Sequence, residues 1–308
     1  MKTELSLQST NKRDNLHVVV WTPDEDIKGI VQISHGMEEY VERFDNLARV
    51  LNENGYLCIG NDHIGHGKTA ACKADLGYFG SGMSKTVVDD LYKVTKYAKE
   101  KYGNDIPFYL FGHSMGSFMA RRYIMTYGGQ LDGVILSGTG FTPDGILSLG
   151  KFASKVVKLI KGSHHKSKLL QQMAFGAYNK KIQNSRTTHD WLTKDDAVVD
   201  KYLNDPLCAF SFTVNGYETL FDVLSFIQNK ENVDKIPKEL PIYIISGDAD
   251  PVGDYGKGVQ VVYNQIVDAG VQNVTMKLYE GDRHELTNEF DREQVFEDII
   301  KWISKNNK

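Results

Sequence analysis

An apolar run, Phe108-Tyr109-Leu110-Phe111, enters Gly112-His113-Ser114-Met115-Gly116 without a spacer, and a stretch with helical spacing, residues 116–127, leaves it directly. Strand, tight turn and helix in immediate succession admit few architectures. They call for an open sheet whose strands end at one rim, with helices packed on its faces. The two outer glycines let strand and helix approach without a Cβ clash, and the turn strains the serine backbone. Ser114 is thereby expected to project its hydroxyl from the carboxyl edge of the sheet. A phosphate-cradling loop is disfavoured, because no Lys follows the last glycine.

The rest of the chain agrees with that reading. Residues 16–21, 30–34, 56–60, 108–111 and 134–137 read as strands. Residues 42–54, with Phe44, Leu47, Ala48 and Leu51 in register and Gly55 as the stop, read as a helix. Another helix runs from an N-cap at Ser84 to about Tyr102. Alternating strands and helices predict an α/β fold with a mostly parallel sheet and helices on both faces. After Thr139 the rhythm breaks into helical patterns until about Leu240. Strands at 242–246 and 274–279 then resume, with helices at 258–269 and 292–304. The expected organisation is a core in two parts, residues 1–140 and 241–308, with a helical cap inserted at 141–240.

Charge and composition narrow the function. With 36 Lys and Arg against 40 Asp and Glu, the net charge is −4, which argues against a nucleic-acid partner. Three widely spaced cysteines, Cys58, Cys72 and Cys208, fit a reducing compartment better than a disulfide framework. Residues 1–14 are polar and mixed in charge, and no window approaches 18 uncharged apolar residues. A soluble, cytoplasmic protein is expected.

The insertion departs from this balance. Residues 141–189 carry nine Lys or Arg against one acid, Asp144. Within it, Ile146, Leu149, Phe152, Val156, Leu159 and Ile160 fall on one side of a helix, and Lys151, Lys155 and Lys158 on another. The first reading is a packed apolar stripe beneath a solvated basic face. The alternative is a segment that rests on an anionic membrane through Lys151, Lys155 and Lys158.

A serine hydroxyl needs a base to become nucleophilic, and the base needs an orienting acid. His284 follows a glycine turn just past the last strand and is the expected base. Asp250, beyond Gly247 at the end of the preceding strand, is the expected acid, with Asp248 as the fallback. An oxyanion hole requires two backbone N–H groups. Met115, after the nucleophile, supplies one, and Met37, in the loop His35-Gly36-Met37, the other. His35 reads as a structural histidine. Asp62, His63 and His66 are too few and too close to glycines for a zinc shell and read as a hydrogen-bonded turn near the site, so no metal is expected. No cofactor is implied. Met173, Phe175, Tyr178 and Trp191 read as the packed side of cap helices.

In the order Ser114, Asp250, His284, around a helical insertion, these residues resemble the α/β-hydrolase superfamily. The stretches His35-Gly36-Met37-Glu38-Glu39 with Arg43-Phe44, Asp62-His63-Ile64-Gly65-His66-Gly67, Gly112–Gly116 and Gly247-Asp248-Ala249-Asp250 narrow the resemblance. They are similar to the monoacylglycerol lipase and lysophospholipase-like branch, which is grouped with serine aminopeptidases. The resemblance favours Asp250 over Asp248. It implies a serine hydrolase acting on esters with one acyl chain. Glu38 and Tyr40 depart from the branch, which usually carries a small residue and a histidine there. Two rivals stand beside this reading. One is an aminopeptidase using Glu38, Glu39 and Glu42 to receive an α-ammonium, and the other is a non-catalytic binding protein on the same fold.

Overall fold

The computed structural model describes residues 1–307. Its eight strands are β1 (Lys2–Gln8), β2 (Asn15–Trp21), β3 (Gly29–Ser34), β4 (Tyr56–Asn61), β5 (Phe108–His113), β6 (Gly133–Ser137), β7 (Ile242–Gly247) and β8 (Val274–Tyr279). They form one sheet in the order β1-β2-β4-β3-β5-β6-β7-β8, parallel from β4 to β8, with β2 antiparallel to both β1 and β4. This is the mostly parallel sheet expected from the sequence.

β3, β4, β5, β6 and β7 are buried along their whole length because helices cover both faces. Alternate residues serve the two layers. Ile30, Phe108 and Leu110 pack on the side of α2 (Met83–Tyr102), α3 (Met115–Tyr127) and α9 (Lys257–Asp268). Val31, Ile33, Tyr109 and Phe111 pack on the side of α1 (Asp45–Glu53) and α10 (Arg292–Asn306), against Leu47, Leu51, Phe296 and Ile299. The buried Gln32 is fully engaged. Its amide donates to Leu91 O at 2.9 Å, and its carbonyl accepts from Thr95 Oγ1 at 2.7 Å.

One element was not anticipated, and two local expectations are corrected. Residues 2–8 form an edge strand whose Thr3, Leu5 and Leu7 turn inward while Lys2, Glu4 and Ser6 face water. The helix expected over 42–54 divides into a 3-10 turn, Val41–Phe44, and α1. Gly82, not Ser84, caps α2. Ser84 lies one residue inside the helix and donates to Asp222 while accepting from Arg122 Nη1 at 2.5 Å.

Residues 141–240 carry α4 (Asp144–Lys161), α5 (Lys168–Phe175), α6 (Asp196–Asn204), α7 (Val214–Gln228) and α8 (Lys230–Val233). α7 packs on α2 and α3, burying Tyr217, Val223, Leu224 and Ile227. α4 lies across α7, and its orientation reverses the packed-stripe expectation. Leu147, Gly150 and Ser154 face inward, while Leu159 is 89% and Phe152 66% exposed, together with Ile146, Leu149 and Ile160. Gly150 explains the choice of face. A Cβ there would meet the Phe221 ring at 2.7 Å, so the close crossing of α4 on α7 needs the small residues rather than the large ones. No described helix is long and apolar enough to cross a membrane.

Candidate active site

β5 delivers the chain to Ser114 at φ 53° and ψ −123°, a left-handed, strained conformation for a non-glycine residue. The turn is held because Ser114 N donates to Ser137 O at 2.9 Å, and Ser117 N donates to Ser114 O at 2.8 Å. Both glycines are required by backbone crowding. A Cβ on Gly112 would lie 2.5 Å from Gly116 O, and one on Gly116 would run into the carbonyls of Ser34 and His35.

His284 lies past β8, with its ring between His113, centroids 4.7 Å apart, and Trp191, 5.1 Å apart. Its Nδ1 is 2.9 Å from Asp250 Oδ2. Asp250 is completely buried and also accepts from Val252 N at 2.8 Å and from Ser246 Oγ at 3.3 Å. Asp248 lies elsewhere, accepting from Gly281 N at 2.7 Å. Burial pulls the His284 pKa down, but the charge and hydrogen bond of Asp250 outweigh it and leave the imidazole above its ordinary value. His284 Nε2 is buried and has no hydrogen-bond partner among the described residues, Ser114 included. The structure thus joins Asp250 to His284 and sets the ring beside the residue preceding Ser114, without a Ser114–His284 bond.

The loop after β3 reaches the same place. A Cβ on Gly36 would lie 3.1 Å from Ser114 Cβ. The loop is fixed by Gly36 N donating to Glu39 Oε1 at 2.5 Å and by His35, whose Nδ1 lies 2.8 Å from Gly36 O and whose Nε2 accepts from His63 N at 2.9 Å. His35 is therefore structural. Met37 follows Gly36 in this loop and Met115 follows Ser114, and neither backbone N–H has a protein acceptor among the described residues.

The turn after β4 braces this loop. Asp62 accepts from Val41 N at 2.9 Å and Lys68 N at 2.8 Å, and His63 Nε2 is 3.1 Å from Ser34 Oγ. His66 sits among Phe79, Phe210 and Phe212. These side chains point to separate partners and form no ligand cluster. Elsewhere, Glu4, His17 and Glu42 converge at the surface, but Lys68 already pairs with both carboxylates, at 3.1 and 3.2 Å.

Sequence reasoning missed a buried ion network behind the site. Arg43 grips Glu285 with two bonds, 2.7 and 2.8 Å, and Glu39 with one of 2.6 Å. Burial opposes ionisation of both acids. The two-point contact with Arg43 holds Glu285 well below the usual carboxylate range, whereas burial pushes Glu39 up. Only the Arg43-to-Glu39 spacing, one helical turn, was visible in the sequence. Trp191, expected as cap packing, also supports the His284 ring, and its carbonyl accepts from His284 N at 3.4 Å.

The family described as serine aminopeptidase, S33, matches residues 25–291, a span that contains every residue named at this site. The chain is a member of that family. This S33 protein is 27% identical to the human monoglyceride lipase over 291 residues, covering 92% of the chain and 85% of the relative. It is 25% identical to the phospholipase YtpA of Bacillus subtilis over 277 residues, 90% and 95% of the two chains. Among solved structures, a thermostable carboxyl esterase from Bacillus coagulans in complex with glycerol is 34% identical. The two superpose with a TM-score of 0.93 over 100% of this chain and 99% of that one. The chain is thus a hydrolase of the α/β-hydrolase fold.

Proposed function

We propose that the protein is a serine hydrolase that cleaves carboxylic esters of single-acyl lipids, monoacylglycerol or lysophospholipid, through an acyl-enzyme. The observation that carries this is the buried Asp250–His284 pair set beside a strained serine elbow. Lipase and phospholipase relatives favour lipid esters, and the esterase structure favours ester over peptide chemistry.

Asp250 accepts a hydrogen bond from His284 Nδ1–H, which leaves Nε2 free to accept the Ser114 proton; the Ser114–His284 bond closes when substrate docks, as catalytic hydrogen bonds commonly do. Ser114 Oγ bonds to the acyl carbon, and the carbonyl electron pair moves to oxygen, where Met37 and Met115 amides and the α3 N-terminus receive the charge. Collapse breaks the carbon–alkoxide bond, and His284 returns the proton to the departing alcohol. Water, deprotonated in turn by His284, releases the fatty acid. No cofactor or metal enters this scheme.

The cap supplies a route to substrate. α4 presents an apolar outer face, and its neighbouring exposed Lys155 and Lys161 suit an anionic lipid surface. Lys151 and Lys158 contribute less, because they are tied to Ser225 at 2.9 Å and Glu218 at 2.8 Å. The free thiols Cys58, Cys72 and Cys208 support a reducing, cytoplasmic setting. The aminopeptidase alternative is weakened because Glu39 and Glu42 are already paired with Arg43 and with Lys2 and Lys68. A fluorophosphonate probe should label the native chain but not Ser114→Ala, and the variant should lose decanoyl-ester hydrolysis by at least about 10³-fold. Retained hydrolysis, or cleavage of proline p-nitroanilide with none of acyl esters, would sink the proposal.

A further inference from the structure

Immediately after Met37 of the oxyanion loop, Glu38 is held at φ 60° on a segment where glycine would be at ease. The residue is 5% exposed. Oε1 is completely buried without a hydrogen-bond partner among the described residues. The backbone is engaged, since Glu38 O accepts from Ala209 N at 3.2 Å, so the loop is anchored to the segment between α6 and α7. A second orphan lies within electrostatic reach of that carboxyl. The hydroxyl of Tyr217 on α7 is buried, has no partner and feels the Glu38 carboxyl electrostatically. Strain and an unpaired buried carboxyl on one residue both oppose folding, a combination that persists at sites of recognition.

We infer that Glu38, with Tyr217, is a specificity-determining pair that receives a hydroxyl of the substrate lying a few bonds from the ester carbonyl. This rests on the ester-hydrolase reading above. Burial pushes the Glu38 carboxyl up to about 8, with Lys166 pulling it back. Near neutral pH it is therefore largely an uncharged acid, able both to donate to a hydroxyl oxygen and to accept its proton. Tyr217 adds a second donor. The hydroxyl has two sources, the leaving polyol or a hydroxylated acyl chain. An ester lacking it leaves both orphans unpaired, which penalises that substrate rather than merely failing to favour it.

The test measures kcat/KM for monodecanoylglycerol, methyl 3-hydroxydecanoate and methyl decanoate on wild type, Glu38→Gly, Glu38→Gln and Tyr217→Phe. Glu38→Gly removes the carboxyl and relieves the left-handed backbone, so it folds. It should cut the preference for one of the two hydroxylated esters over methyl decanoate by at least about tenfold. Tyr217→Phe should cut the same preference less, and Glu38→Gln, which still donates and accepts, should restore most of it. The ester whose preference falls identifies the source of the hydroxyl. If wild type hydrolyses all three esters and both preferences survive in Glu38→Gly, this inference is overturned while the ester-hydrolase reading stands. If wild type hydrolyses none and resists the fluorophosphonate, both fall.

Discussion

Replacing Arg43 by Met would remove the guanidinium that holds two buried carboxylates while keeping most of the chain's length over the Tyr202 ring, 4.8 Å away. Breaking a buried ion pair from one side costs about 3–5 kcal/mol, because the stranded partner keeps its desolvation penalty. Unfolding entropy of about 2.1 cal/mol/K per residue gives about 0.65 kcal/mol/K for a chain of this length, so the melting temperature should fall by about 5–8 °C. The pH dependence carries a sign. In the wild type, Glu285 is held below its unfolded value, so its contribution is present at neutral pH and lost in acid. Without Arg43, burial dominates and raises Glu285 above that value. The folded variant then binds more protons than the unfolded chain and loses stability as pH rises. The deficit relative to wild type should therefore widen from pH 5 to pH 8. Calorimetric melts at both pH values decide the matter. A variant within 2 °C of wild type at pH 8, or a deficit that shrinks with rising pH, refutes the argument.

Asp250→Asn should lower kcat on decanoyl esters by about 10³–10⁴-fold, because an amide donating to Nδ1 leaves the wrong nitrogen free; steady-state kinetics on the folded variant check this. Since the base must be neutral to act and Asp250 raises the His284 pKa, kcat/KM should climb with pH through a midpoint above the ordinary histidine value. A midpoint below it would contradict the assigned pairing. Replacing Phe152 and Leu159 by Ser should abolish flotation with anionic vesicles while leaving hydrolysis of a soluble short ester within about twofold. Unchanged flotation would remove α4 from the membrane proposal.

How much was legible depended on whether the signal was local. The elbow could be read because Gly112, Ser114 and Gly116 act within five residues, and Asp250 and His284 because each follows a strand end. β1 escaped notice because only Leu5 and Leu7 mark its inner face in a polar segment. The orientation of α4 escaped because hydrophobicity identifies a stripe but not its partner, and here α7 is approached through Gly150 and Ser154. The Arg43–Glu285 pair spans 242 residues, a distance over which spacing carries no information. Glu38 was visible as a departure from the branch, but its lack of any partner required coordinates.

The crowding at Gly116 has an implication for anyone diversifying this hydrolase. What blocks a methyl group there is main chain, the carbonyls that close β3, so no second substitution can clear room for it. Position 116 is a fixed point that compensation cannot rescue, whereas the strain at Glu38 comes from its own positive φ, which a glycine there would relieve.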